Sequence, residues 1–285
     1  MKRLIYKILA FYIYHFKFPF KGEKYFSAFL KKVSLDAKTF KKKLHTGQLI
    51  NLKAEDHIQR TLLWYGFYEK DSILKWEQFI QDDSVVIDIG ANIGYYTLIA
   101  ANKAGKGWVH CFEPVTISYE ALQQNIQLNH LTNVTANAVG ISNSEALQTY
   151  YISSADNRGM SGMKHPENFS GLVEKKQTIT LDSYAIKNNL SRIDLIKIDI
   201  EGNELNALKG MQTILTQNRP ALFIEVIKEH LTKFGTGIDE VYAFLQSYGY
   251  TPYKIGSGNN LKPIETAEEG ELIIFICSAS EKSEI

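Results

Sequence analysis

Short apolar runs alternate with longer amphipathic stretches from about residue 81 onward. Runs rich in Val and Ile, bounded by acids or glycines, predict buried strands, and the stretches between them have helical apolar spacing. Strands that alternate with helices predict an α/β fold, with a mostly parallel sheet covered by helices on both faces. Two late runs separated by a Gly/Asn loop predict an antiparallel pair. The predicted strands are Val85–Ile89, Trp108–Phe112, Val134–Val139, Leu195–Ile200, Ala221–Val226, Thr251–Ile255 and Glu271–Cys277.

The periodicity before residue 81 is helical and divides the chain into predicted parts. Residues 55–80 have apolar positions at helical spacing, interrupted by Gly66, which predicts two helices or one broken helix. We therefore predict a helical N-terminal extension over 1–80, an α/β domain over 81–280 and a tail over 281–285.

Charge is distributed unevenly between these parts. Residues 1–43 contain twelve Lys or Arg and two acids, so this aromatic segment carries +10 and the rest of the chain −9. Its apolar run Ile8–Phe16 is too short for a membrane span, and no small-residue cleavage site follows it. We expect a cytoplasmic protein whose basic segment contacts the inner membrane surface peripherally. Packing of the segment on the main domain is the alternative.

The composition is that of an ordinary globular protein. The 285 residues are 45% hydrophobic and 22% charged, with a net charge of +1, so total charge does not indicate a nucleic-acid partner. The two cysteines, Cys111 and Cys277, lie in apolar runs and predict buried, reduced thiols. Their spacing fits no metal site.

A glycine-bearing turn follows the first predicted strand of the domain, in the sequence VVIDIGANIG over Val85–Gly94. Glycines at these places allow a tight strand-to-helix turn and close approach of a ligand. A dinucleotide site needs G-x-G-x-x-G, whereas here Asn92 stands in place of the second glycine and the charge of Asp88 opposes a pyrophosphate. The pattern favours S-adenosylmethionine, with a structural turn as the alternative. The candidate cofactor contacts are Asp88, Gly90, Ala91, Asn92 and Gly94.

Two further strand ends predict cofactor contacts. Glu113 ends the second strand, where an acid can accept hydrogen bonds from ribose hydroxyls, and Pro114 turns the chain away from the sheet. Ala138 and Val139 end the third strand and can face an adenine. An ordinary strand end explains the latter pair equally well.

An acidic segment, LIKIDIEG over 195–202, ends the fourth strand. Asp199 and Glu201 there, with Glu225 on the fifth strand, are the candidate catalytic residues, because carboxylates can act as a base, hold a hydroxyl or bind a divalent metal. A metal is possible but not predicted, and its ligands would be these same three residues. Asp199 is also a candidate cofactor contact. Glu204 is either part of this cluster or a first-turn helix acid.

Three weaker candidates concern the acceptor. Lys197 shares a strand face with Asp199 and is either its buried partner or a substrate contact. Arg158 lies in a polar, glycine-rich stretch over 156–165 that can close over an acceptor and clamp a carboxylate or phosphate. His230 is an alternative base, although a lone His is more often structural.

The chain from about 58 to 277 resembles the FkbM-type methyltransferase family. The resemblance rests on segments that flank each strand end: IQRTLLWYGFYEKD (58–71), VVIDIGANIGYYTLIA (85–100), CFEP (111–114), NAVGIS (137–142), TLDSY (180–184), DLIKIDIEGNELNALKGM (194–211) and PALFIEV (220–226). It implies a Rossmann-like methyltransferase fold, whose mostly parallel sheet has seven strands and an antiparallel last strand.

The resemblance also implies a function. We expect methyl transfer from S-adenosylmethionine, usually to the oxygen of a sugar hydroxyl in a glycan, glycolipid or related metabolite. Asp88, Gly90, Asn92, Gly94 and Glu113 match the family's cofactor motif, and Asp199 and Glu201 its acidic segment. The alternatives are an NAD-dependent oxidoreductase and a non-catalytic binding protein with the same fold. No nucleic-acid partner is expected, since no Asn/Asp-Pro-Pro-Tyr/Phe motif is present. The oligomeric state stays open.

Overall fold

The protein was studied as a computed structural model, which describes residues 6–9, 11, 23–32, 35–164, 169 and 171–277. The strands and helices alternate after residue 84, as the apolar pattern predicts. The helices are α1 (Glu23–Lys32), α2 (His57–Tyr65), α3 (Lys70–Phe79), α4 (Tyr95–Lys103), α5 (Thr116–Leu128), α6 (Leu181–Lys187), α7 (Glu204–Lys209), α8 (Gln212–Gln217), α9 (Lys228–Lys233) and α10 (Ile238–Ser247). The strands are β1 (Thr39–Lys43), β2 (Leu49–Lys53), β3 (Val85–Ile89), β4 (Trp108–Phe112), β5 (Val134–Asn137), β6 (Gly140–Ile141), β7 (Ala146–Ile152), β8 (Leu172–Ile179), β9 (Leu195–Ile198), β10 (Ala221–Val226), β11 (Tyr250–Ile255), β12 (Leu261–Pro263) and β13 (Gly270–Cys277).

The main sheet has the order β12-β11-β13-β10-β9-β3-β4-β5. The five strands from β10 to β5 are parallel, and β13 runs antiparallel between β10 and β11. The antiparallel late pair and the parallel centre are therefore as predicted. The carboxyl ends of the parallel strands meet at one edge of the sheet, where ligands of such folds bind.

The number of strands differs from the predicted seven, because β12 adds an eighth at the edge. This strand has only three residues, and it reaches β11 because the loop over 256–260 folds back, with the Gly256 amide donating to the Asn260 carbonyl at 2.7 Å. A three-residue run is too short to show a period of two. The strand predicted over 134–139 is shorter in the structure and ends at Asn137. The next strand, β6, is not part of the main sheet; it pairs with β8 in a separate sheet of order β6-β8-β7.

Helices cover both faces of the main sheet, as predicted. Consecutive strand residues such as Val86 and Ile87 point to opposite faces and join different hydrophobic clusters. Val86 packs in the same cluster as Trp76 of α3 and Leu98 of α4, whereas Ile87 packs in a cluster with residues of α6, α7, α8 and α10. The parallel strands are therefore buried from both sides.

The predicted all-helical extension contains a β-hairpin over residues 39–53, so that prediction is wrong in this stretch. The residues of β1 alternate between exposed and buried, but its TFKKK sequence resembles a solvated charge run and hides the period of two. The break at Gly66 is confirmed, since α2 ends there at φ 76°. Residues of the hairpin, α2 and α3 share one hydrophobic cluster with the sheet. The domain boundary at residue 80 stays a prediction.

Asparagine side chains of α5 hold the hairpin against the domain. The Asn125 carboxamide accepts from the Asn51 amide at 2.8 Å and donates to the Ile93 carbonyl at 2.9 Å. Asn129 accepts from the Leu49 amide at 2.7 Å. Asn125 is fully buried, so it ties β2 to the glycine-bearing turn after β3 without competition from water.

Most of the predicted N-terminal element over 1–30 lies outside the described residues, and so does the tail over 281–285. Of its described residues, Tyr6 donates to the Thr39 carbonyl at 2.6 Å and packs on Phe40, whereas Ile8 and Phe11 are exposed. Both expectations for this segment therefore stay open. No helix in the described part of the chain is long and apolar enough to cross a bilayer.

Candidate active site

A pocket opens at the carboxyl ends of β3, β4, β9 and β10. It encloses about 840 Å³ out to its open mouth. Nine of the predicted site residues line it, and they come from the ends of different strands and from one loop. They are Gly90, Asn92, Glu113, Pro114, Val139, Arg158, Asp199, Glu201 and Glu225.

The other predicted residues do not line this pocket. Asp88 and Lys197 are buried beneath it, and His230 contacts two of its carboxylates. Gly94 and Ala91 lie in the turn and pack inward, whereas Ala138 is exposed at the strand end. Direct cofactor contact by Asp88, Ala91, Gly94 and Ala138 stays a prediction.

The turn after β3 packs so closely on β9 that only glycine fits at position 90. Gly90 has φ 82°, and a Cβ there would lie 1.9 Å from the Asp199 carbonyl oxygen. Gly94 has φ 95°, and a Cβ would lie 2.7 Å from the Leu122 side chain. Gly90 thus brings the turn against the strand end that carries Asp199, and Gly94 brings it against α5.

The Glu113 carboxylate fastens the turn to the end of β4. It accepts from the Asn92 amide and from the Val115 amide, each at 2.8 Å. Burial raises the pKa of Glu113 to about 7, against the two amide hydrogen bonds that lower it. The acid therefore lies on the pocket wall, where the sequence predicts a ribose contact.

Lys197 is a buried cation beneath the pocket. Its Nζ donates to the Asp199 carboxylate at 2.9 Å and lies 4.9 Å from the centre of the Tyr96 ring. In the parallel register Lys197 is also the β9 neighbour of Asp88. Burial works to lower the pKa of Lys197, but the carboxylates of Asp199 and Asp88 hold it above its usual value. The structure thus favours the buried-partner interpretation of this lysine.

Asp88 is fully buried and incompletely hydrogen-bonded. One carboxylate oxygen accepts from the Thr97 hydroxyl at 2.6 Å, and Oδ1 has no hydrogen-bond partner among the residues that the structure describes. Burial raises the pKa of Asp88, while the charge of Lys197 lowers it. Such a carboxylate adds negative potential beneath the glycine-bearing turn.

Glu201, Glu225 and His230 form a cluster at one side of the pocket. The His230 Nδ1 lies 3.2 Å from Glu225 Oε2 and 3.3 Å from Glu201 Oε2. Burial, and then the charges of Glu225 and Asp199, raise the pKa of Glu201 to about 9. Burial likewise raises the pKa of Glu225, and the hydrogen bond to Glu225 raises that of His230.

The same three side chains offer ligand atoms within 4.8 Å of one another, close enough to hold a metal ion. The predicted ligand set included Asp199 instead of His230. Asp199 is not part of the cluster, because its carboxylate is bound to Lys197. His230, which the sequence offers only as an alternative base, takes its place.

Glu204 supports the cluster from beneath. Its carboxylate accepts from the Ile200 amide at 3.0 Å and from the Gly202 amide at 3.1 Å. These bonds fix the turn in which Glu201 adopts a left-handed conformation at φ 60°. Burial raises the pKa of Glu204 to about 8. Of the two interpretations given for this acid, the structural one fits.

Sequence reasoning missed Tyr68 and Glu69, which also line the pocket. Glu69 begins α3 with φ 47° and accepts from the Tyr96 hydroxyl at 2.8 Å. Burial raises the pKa of Glu69 to about 7, and the charge of Asp199 adds to this. A non-glycine residue held in this conformation is typical of functional sites. The family-like segment over 58–71 was the available signal, but its spacing assigns no chemistry to a particular residue.

The glycine-rich loop forms one wall of the pocket, and α2 holds it in place. The Arg158 amide donates to one oxygen of Asp56 at 3.1 Å, and the other oxygen caps α2 by accepting from Gln59. The His57 amide donates to the Asp156 carbonyl at 2.9 Å. The loop is therefore ordered by specific bonds over this stretch.

The strand order, with β13 antiparallel between β10 and β11, and the acid-lined pocket at the carboxyl edge define a Rossmann-like methyltransferase fold. Residues 88–252, more than half of the chain, match the model of the methyltransferase FkbM domain. The chain belongs to this family, which confirms the resemblance seen in the sequence.

Curated relatives match over part of their length. Methyltransferase 1 of Beauveria bassiana is 27% identical over 149 residues, which are 46% of this chain and 59% of that protein. The hexuronic acid methyltransferase AglP of Haloferax volcanii is 29% identical over 147 residues, which are 52% of this chain and 58% of that protein. The chain thus spans less than two thirds of these relatives.

Solved structures align at low identity. TYW2 of M. jannaschii in complex with AdoMet has 14% identity and a TM-score of 0.42, covering 84% of each chain. An O-methyltransferase from Bacillus cereus in complex with SAH has 14% identity and a TM-score of 0.41. That alignment covers 74% of this chain and 82% of that one.

Proposed function

We propose that this chain is an S-adenosylmethionine-dependent methyltransferase that acts on a sugar hydroxyl in a glycan, glycolipid or related metabolite. The observation that carries the proposal is the acidic lining of the pocket. Five carboxyl groups line it, with one guanidinium, that of Arg158. The carboxyl groups belong to Glu69, Glu113, Asp199, Glu201 and Glu225.

The acidic lining of the pocket fits the proposed cofactor. S-adenosylmethionine supplies a methyl group activated on a positively charged sulfonium, and it also carries an ammonium group. The unpartnered Asp88 oxygen beneath the turn adds to the negative potential that favours such a ligand. A pyrophosphate would instead bring further negative charge beside these carboxyl groups. Gly90, Asn92 and Glu113 are the residues proposed to hold the cofactor.

The residues near β9 and β10 are proposed to align the acceptor and take its proton. An acceptor hydroxyl has to lose a proton during methyl transfer, and a carboxylate with a raised pKa is suited to receive it. Glu225 is our choice, because His230 is bound to it and can share the proton. Glu201, with a pKa of about 9, is protonated at neutral pH and donates a hydrogen bond that orients the acceptor.

Asp199 is the earlier candidate for the base, and its surroundings argue for another role. One of its oxygens accepts from the Lys197 ammonium at 2.9 Å, which fixes the orientation of the carboxylate. Its side chain is 32% exposed, so it remains accessible from the pocket. We propose that Asp199 holds the acceptor in line, which is the larger part of catalysis for an already activated donor.

A sugar as the acceptor is supported by the relative AglP, whose name describes a hexuronic acid methyltransferase. The glycine-rich loop that closes one wall of the pocket also fits a polar acceptor, since Arg158 and Ser161 line that wall.

The first test is calorimetric titration with S-adenosylhomocysteine, with NAD as the control ligand. The wild type should bind the former only, and Glu113→Ala should lose that binding. Binding of NAD alone, or of neither ligand, would contradict the proposed cofactor.

The second test separates the acid groups. With a methylated glycan found by screening, Glu225→Gln should lower kcat by about two to four orders of magnitude. Glu201→Gln keeps a hydrogen-bond donor and should retain most of the activity. Glu265→Gln, an exposed acid outside the pocket, is the matched control. Equal losses in the first two variants would refute the separate roles.

A further inference from the structure

A second depression adjoins the pocket on the hairpin side, and its charge is opposite. This basic groove is open to solvent and spans about 500 Å³ between the hairpin, the glycine-bearing turn and α5. Its polar wall includes Asn51, Lys53, Gln59, Asn92, Ser118 and Arg158, of which the last three also line the pocket. Among the described residues that line the groove, none carries a carboxyl group.

The two cations of the basic groove have no counter-charge among the described residues. As whole residues, Lys53 and Arg158 are half-buried, and neither forms an ion pair within the described part of the chain. A cation that has no ion-pair partner gains electrostatic free energy when a ligand supplies the opposite charge. A guanidinium presents a planar fork of donors that matches a carboxylate or a phosphate.

The first turn of α2 fixes both cations in place through their backbones. Asp56 accepts from the Arg158 amide at 3.1 Å, and Gln59 accepts from the Lys53 amide at 2.9 Å. Asp56 also accepts from the Gln59 amide at 3.0 Å, so the two anchors are joined. The cations are therefore carried by backbone that is ordered before a ligand arrives, which lowers the entropic cost of binding.

We propose that the basic groove binds a carboxylate or phosphate substituent of the acceptor, so that the acceptor is an anionic sugar. This inference rests on the proposed function, because a group on the acceptor matters only if the chain methylates that acceptor. The anion binding that it predicts is measured without turnover. The pocket repels such a group through its carboxyl residues, and the groove attracts it. This opposition directs the anionic end of the acceptor outward and leaves a hydroxyl to enter the pocket.

The test uses three matched probes: glucuronate, glucose 6-phosphate and glucose, each titrated into protein saturated with S-adenosylhomocysteine. The wild type should bind the two anions and show much weaker binding of glucose. Lys53→Gln and Arg158→Gln should each weaken anion binding by about tenfold or more. Lys41→Gln changes an exposed lysine of the same hairpin and should leave it unchanged. Thermal melting of each variant checks that the fold is retained.

A second arm identifies the source of the anionic group, because S-adenosylhomocysteine also carries a carboxylate. If the groove serves the acceptor, both substitutions leave the affinity for S-adenosylhomocysteine unchanged. A loss of that affinity, with unchanged binding of 5′-methylthioadenosine, would assign the groove to the cofactor and overturn the proposal. Equal binding of glucose and the anions by the wild type, or equal losses in Lys41→Gln, would overturn it as well.

Failure of the proposed function gives a different result. In that case the wild type does not bind S-adenosylhomocysteine, whereas anion binding by the groove is still measured in its absence.

Discussion

Replacing Lys197 with methionine tests whether the buried charges beneath the pocket depend on one another. The change keeps most of the volume of a side chain that is 3% exposed, and it removes the ammonium that is bound to Asp199 at 2.9 Å. Removing one partner of a buried ion pair typically costs about 3–5 kcal/mol. Because the Asp199 side chain is 32% exposed and water can solvate it, we expect the lower end of this range. A loss of about 3 kcal/mol lowers the Tm of a chain of this size by roughly 6–12 °C.

The loss should depend on pH in a definite direction. Lys197 is among the groups that lower the pKa of Asp88, which burial already raises above its usual value. In Lys197→Met the pKa of the folded-state carboxyl rises further, so the folded state binds more protons than the unfolded chain. Stability of the variant therefore falls as pH rises. The deficit relative to the wild type should be smaller near about pH 5 than near about pH 8.

Calorimetric unfolding at both pH values measures this prediction. Lys262→Met, at an exposed lysine of β12, is the control and should change stability by no more than about 0.5 kcal/mol. Adding Asp88→Asn to Lys197→Met should recover part of the loss, since it removes the uncompensated charge. A Tm within about 1 °C of the wild type at both pH values would refute the reasoning, because removing one partner of a buried pair leaves the charge of the other uncompensated.

Three further predictions concern the turn, the acid cluster and the hairpin. Gly90→Ala should cost about 2 kcal/mol or more and abolish S-adenosylhomocysteine binding, because its Cβ overlaps the Asp199 carbonyl. Gly47 also has a positive φ of 100°, but no described atom lies within 4 Å of the Cβ that Gly47→Ala adds. Comparing the thermal melts of the two variants therefore separates the cost of backbone strain from the cost of atomic overlap. Glu201→Gln should raise the free energy of unfolding by about 1 kcal/mol, and by more near about pH 8 than near about pH 5. The reason is that the raised pKa of about 9 makes ionisation of Glu201 costly in the folded state. An unchanged denaturant midpoint would count against that pKa. Asn125→Ala should destabilise by about 1–3 kcal/mol and speed amide exchange in β2, because two backbone groups lose their buried partner; unchanged exchange there would show that the hairpin is held by other contacts.

The centre of the fold was predictable because its signals are local. A buried parallel strand is rich in apolar residues, and β3, β9 and β10 each show an apolar run with a single charged residue in it. The edges were less predictable. The β12 strand forms because a loop returns to the sheet. The β1 strand is hidden in the sequence because its run of lysines obscures the alternation of exposed and buried positions. Both depend on neighbours that are distant in sequence, and a local pattern does not record them.

The candidate site divides in the same way. Gly90 and Glu113 were found from their places at strand ends, and the pocket contains both. The contacts of His230 with Glu201 and Glu225 were not found from the sequence, because a turn, a strand and a helix must converge to form them. Glu69 was missed for a related reason, since its burial and left-handed backbone become visible only after α3 has docked.

The opposite charges of the pocket and the basic groove come from different parts of the chain. The carboxyl groups stand mainly at strand ends of the α/β domain, where the fold fixes them and the sequence motifs record them. The two cations come from a hairpin and a loop, which are attached through the side chains of Asp56, Gln59 and Asn125. Loops and hairpins tolerate substitution more readily than buried strand ends. On the two proposals above, changes in the hairpin would therefore alter which acceptor binds while leaving the methyl donor site intact. This explains why the motifs of the chain identify its family more readily than its acceptor.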